Sequence, residues 1–79
     1  MKSALELKNE LTTADQELTR RYRFAVWCES RLLASPTLEE YRANESQLQQ
    51  AEADVQAQAQ IVQRLRHDWA KQDAAEQFK

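Results

Sequence analysis

Ala34-Ser35-Pro36-Thr37-Leu38-Glu39-Glu40 is the stretch on which the fold turns. Pro36 has no backbone N–H to donate and holds the residue before it out of helical geometry, so a helix arriving from the N-terminal side stops here. The same residues suit the start of a second helix, and two starts fit. Ser35 can cap with Pro36 at the first helical position, or Thr37 can cap with Glu40 three residues on. In both cases the connection is short, and short helix–helix connections make antiparallel neighbours.

Upstream of the break, residues 3–34 read as one helix. Ala4, Leu11, Leu18, Ala25 and Leu32 recur every seven residues, and Leu7, Ala14 and Cys28 fill the offset of three. This is a coiled-coil-like seam with one interruption, at Arg21, where the contact is expected to pass to the neighbouring Tyr22. Downstream, residues 37–76 read as a longer helix. Tyr41, Leu48, Val55, Val62 and Trp69 recur at seven, with Ala51 and Leu65 at the offset of three. A strict seven-residue repeat drifts by about 20° per heptad on a straight helix, so a left-handed wrap is expected. The opposite face is rich in glutamine, at Gln47, Gln49, Gln50, Gln56, Gln60 and Gln63.

The expected architecture is therefore all-α: one domain over residues 1–79, a two-helix antiparallel hairpin turning at 35–37. Its core is expected to hold Leu11, Leu18, Leu32, Tyr41, Leu48, Val55 and Val62. A turn near residue 35 would set Leu32 against Leu38, Ala25 near Glu45, Leu18 near Glu52 and Val55, and Leu11 near Ala59. The second helix would then outrun the first, leaving Trp69 and Phe78 uncovered.

Composition narrows the function classes. The chain has no glycine and one proline, which argues against an all-β fold or a phosphate-cradling loop. Eleven basic and 13 acidic residues give a net charge of −2, without the basic excess usual in nucleic-acid binders. Arg20-Arg21-Tyr22-Arg23-Phe24 interleaves base and aromatic, but Glu17 and Glu29 stand close by, so neither nucleic acid nor a membrane surface is the expected partner. The longest apolar run is the five residues Phe24–Cys28, so neither a membrane span nor a secretory signal is expected. Cys28 is the single cysteine, which excludes an intrachain disulfide and suits a reducing cytoplasm. It reads as a buried structural thiol. His67 is the single histidine, on the polar side beside Arg66 and Asp68, without companions at metal-ligand spacing. A two-helix rod has no concave pocket to seat acid–base chemistry, so no enzyme activity, metal or cofactor is expected.

Chains below roughly 70–80 residues rarely build a self-sufficient core, so such a hairpin needs another surface. One candidate lies on the back of the first helix. At 100° per residue, Phe24 and Trp27 point away from the leucine seam and align with Arg20 and Arg31. Large outward aromatics flanked by arginine are the usual ingredients of a protein-binding hot spot. The alternative is that they pack over the hairpin's own side or into a homodimer. A second candidate is the broad stripe of Ile61, Leu65 and Trp69 on the second helix.

Pro36-Thr37-Leu38-Glu39-Glu40-Tyr41, then Glu45-Ser46-Gln47-Leu48 and the apolar pair Ile61-Val62, resemble the pattern of a known family across roughly residues 15–66. These are the small co-chaperones of type III secretion needle subunits, the YscE/SsaE/EscE-like family. The resemblance implies an antiparallel helical hairpin that pairs with a larger, tetratricopeptide-like chaperone. Together they would hold the needle subunit as a soluble monomer in the bacterial cytoplasm until export. Tyr41, Leu48, Val55 and Val62 would then be hairpin or interface core, and Phe24 and Trp27 candidate partner contacts. Two other readings stay open: a small regulatory inhibitor, of the kind phages encode, blocking a host protein through its aromatic face, and a structural coiled-coil dimer.

Overall fold

Two caps fix where the helices begin. In the computed structural model, which describes residues 1–78, α1 spans Ala4–Leu33 and α2 spans Leu38–Gln77. Ser3 caps α1, its hydroxyl accepting from the Glu6 N–H at 3.2 Å, and Thr37 caps α2, accepting from the Glu40 N–H at 3.1 Å. Thr37, not Ser35, is thus the second cap. Glu39 and Glu40 add negative charge to the first turn of α2, where the helix dipole favours it. Ser35 instead closes the end of α1, its N–H donating to the Leu32 carbonyl at 3.2 Å and its hydroxyl to the Arg31 carbonyl at 3.0 Å.

The helices pack along their length into an elongated antiparallel hairpin of 63 × 14 × 14 Å. Its radius of gyration is 17.8 Å, against about 12 Å for a compact chain of this length. With only two helices, every residue outside the single seam faces outward. No helix of the described residues is long and apolar enough to cross a membrane.

The seam holds two apolar clusters. Leu11, Ala14 and Val62 are buried together, with Leu18 and Leu65 half-buried against them. Nearer the turn, Ala25, Cys28 and Ala51 are buried, with Leu48 and Val55 packed on them. Cys28 is the most deeply buried of these, at 1% exposure. Leu32 is half-buried.

Between the clusters the seam is polar. Gln58 is buried, and its amide donates to the Ala14 carbonyl of the other helix at 2.9 Å. Arg21 stays in the seam, half-buried, and reaches the Asp54 carbonyl of α2 at 3.4 Å. Tyr22, expected to take over its contact, is exposed instead. A guanidinium can lay its stem on the apolar seam and still satisfy backbone and carboxylate acceptors at its edge, so the helix has no need to rotate Tyr22 inward.

The register also departs from the expected one. Leu11 clusters with Val62 instead of Ala59, and Ala25 with Ala51 instead of Glu45. The cause lies at the turn. The Asn44 side chain donates to the Ser35 hydroxyl at 2.8 Å and to the Arg31 carbonyl at 3.5 Å, so α2 draws level with the end of α1 only at Asn44. The six residues from Leu38 to Ala43 therefore extend about 9 Å beyond α1. This places Tyr41 outside the core expected for it: it is 41% exposed, and Leu38 is more so. The overhang lies at the turn and not at the far end. There, the Ala4 N–H donates to the Glu76 carboxylate at 2.7 Å, so α1 covers Trp69.

Candidate protein-docking face

Phe24 and Trp27 lie one turn apart on α1, and helical geometry puts them on one strip with Arg20 and Arg31. Their rings stack, with centroids 5.6 Å apart and planes 28° from parallel. Arg31 sits one turn further on, its guanidinium carbon 4.9 Å from the centre of the Trp27 ring. Phe24 is 47% and Trp27 50% exposed, so half of each ring is already shielded while the outer half meets water. A stacked pair held by its own helix loses little conformational freedom on binding, which is what makes such pairs effective anchors.

Arg20 is held differently. Glu17, one turn back, accepts from the Arg20 guanidinium through both carboxylate oxygens and from Arg21 at 2.9 Å. The hydrogen bonds from Arg20 and then Arg21 hold the Glu17 carboxyl at about 2, well below its ordinary 4.5. The same pairing pushes Arg20 upward. Glu17 thus fixes two neighbouring arginines, one turned out along the aromatic strip and one turned in across the seam. Arg20, Arg21 and Phe24 border a shallow cleft with Ala51 and Asp54 of α2.

The second candidate stripe is distributed otherwise. Leu65 packs on the Leu11 cluster, and Trp69 lies beneath the Lys8 ammonium of α1 at 4.5 Å. Ile61 is exposed. Two of the three side chains are therefore engaged by the hairpin itself, whereas Arg20, Phe24, Trp27 and Arg31 form one outward strip. Phe78 is exposed at the cap of α2.

No protein-family model, curated protein or solved structure matches this chain. Its chemistry therefore rests on its own residues. Among the described residues no group of His, Cys, Asp and Glu could hold a metal ion, and His67 is exposed. Gln58 was legible as a seam residue by its spacing alone: it stands three residues after Val55, at the offset that Ala51 and Leu65 occupy in their own heptads. Its amide supplies the polar contact between the clusters.

Proposed function

We propose that this chain is a protein-binding hairpin of the needle co-chaperone kind. Through Arg20, Phe24, Trp27 and Arg31 it pairs with a larger helical-repeat chaperone. The pair keeps a type III secretion needle subunit soluble and monomeric in the bacterial cytoplasm. The chain works by binding, not by catalysis. The observation that carries the binding reading is the stacked Phe24–Trp27 pair, half-exposed beneath Arg31. The choice of partner is supported by the resemblance of residues 36–41, 45–48 and 61–62 to the co-chaperone pattern and by the hairpin architecture that goes with it.

Charge favours a foreign partner over a second copy at this face. Helical spacing places Arg20, Arg23 and Arg31 on or beside the strip, and an isologous dimer would set both rows of arginines against each other. The test is co-expression of the chain with the needle subunit and the helical-repeat chaperone from its own genome, followed by affinity purification. The wild-type chain should co-elute with the chaperone, and F24A/W27A should lose it. A wild-type chain that elutes alone, or a double variant that retains the chaperone, would overturn the proposal.

A further inference from the structure

A second apolar strip runs along the opposite flank of the hairpin. Tyr22, Val26 and Leu33 follow one another on α1 at spacings of four and seven, about 160–200° around the helix from Phe24, and all three are exposed. Facing them, Leu48 and Val55 stand seven residues apart on α2. Between the rows lies a cleft of about 260 Å³. Ala25, Leu48 and Val55 belong to the core cluster beneath it, Tyr22 and Val26 rise on the α1 side, and Glu29 and Glu52 stand one on each helix.

We propose that this cleft docks one amphipathic helix of a foreign protein, with apolar residues along its inner face and lysine or arginine along its edges. Shape gives the first reason. Two helices side by side form a groove that a third fills with residues at i, i+3, i+4 and i+7. Length gives the second. From Asn44, where α2 draws level with α1, to Val55 the groove runs about 16 Å, which matches a helix of about three turns. Charge gives the third. Glu29, Glu45 and Glu52 line this flank and make no ion pair among the described residues. Along the same stretch of α2 the cation is Arg42, at the outer edge.

The same carboxylates disfavour a second copy, since an isologous contact would bring two acidic rims together. They also separate this flank from the Phe24–Trp27 face, whose arginines repel a basic helix. The two faces therefore select partners of opposite charge, and this inference stands or falls apart from the co-chaperone reading.

The test uses the full chain and two labelled synthetic helices of about 16 residues, identical in their leucine stripe, one edged with lysine and the other with glutamate. Fluorescence anisotropy should show the lysine-edged peptide binding at least about tenfold tighter. V26K, at an exposed position, should weaken it at least about tenfold with helix content unchanged. E29K/E52K should reverse the preference between the peptides, and W27A should leave it intact. The proposal fails if the two peptides bind alike, if neither binds, or if W27A removes binding. It fails equally if the chain alone sediments as a dimer that V26K dissolves, which would give this face to a second copy.

Discussion

The two tryptophans sit under similar cations and do different work. Trp27 is covered by Arg31 of its own helix, so the contact spans one turn and leaves the outer half of the ring free. Trp69 of α2 is covered by Lys8 of α1, so the contact crosses the hairpin and helps close it. An aromatic–cation pair within one helix organises a surface. The same pair between helices spends that surface on the fold. Which applies is decided by register, because α1 reaches far enough along α2 to place Lys8 over Trp69.

Substitutions should separate the two roles. The largest effect is expected on binding: F24A/W27A should weaken partner capture at least about thirtyfold, near 2 kcal/mol, while thermal melting hardly moves. W69A should do the reverse, costing about 2 kcal/mol of stability, less than the roughly 3–5 of a fully buried aromatic, with partner affinity unchanged. Urea unfolding of both variants beside the wild type measures the contrast, and a large loss of stability in F24A/W27A would erase it.

Gln58 tests whether the polar contact between the two halves supports both. Q58A removes a buried hydrogen bond and leaves the Ala14 carbonyl without its cross-helix donor, at an expected cost of about 1–2 kcal/mol. Q58L fills the space with an apolar side chain and should cost less, or even stabilise. If Q58L cost as much as Q58A in urea melts, the hydrogen bond that both variants lack would matter more than the packing that leucine restores.

The smallest effect belongs to Glu17. Because its folded-state value lies near 2, below the ordinary 4.5, its contribution is present in full above pH 4.5 and is lost as pH falls through 2. The pair lies at the surface, so the contribution is small. The difference between wild-type and E17Q melts should shrink between pH 5 and pH 2. A constant difference across that range would contradict the arrangement.

Much of this was legible in the sequence, and the misses at Tyr41 and Trp69 share a cause. Pro36 and the seven-residue recurrence of leucine and valine define the two helices, because helix period and backbone chemistry act locally. Arg20, Phe24, Trp27 and Arg31 share a strip for the same reason. Register is not local. It depends on how far the chain travels between Leu33 and Leu38, and Asn44 anchoring Ser35 and Arg31 fixes that distance. Hence Tyr41 stands outside the core and Trp69 lies under cover, both against expectation. At Arg21 the miss has another cause: the charge suggests a break in the seam, whereas the long apolar stem lets the side chain stay there and bond the Asp54 carbonyl.

Hydroxyl-radical footprinting of the chain, alone and mixed with the proposed helical-repeat chaperone, tests the docking face most directly. Phe24 and Trp27 should become at least about threefold less reactive in the complex, while Trp69, already sheltered by Lys8 and α1, keeps its rate. A Trp27 that reacts equally fast in both states would contradict the assignment of this face.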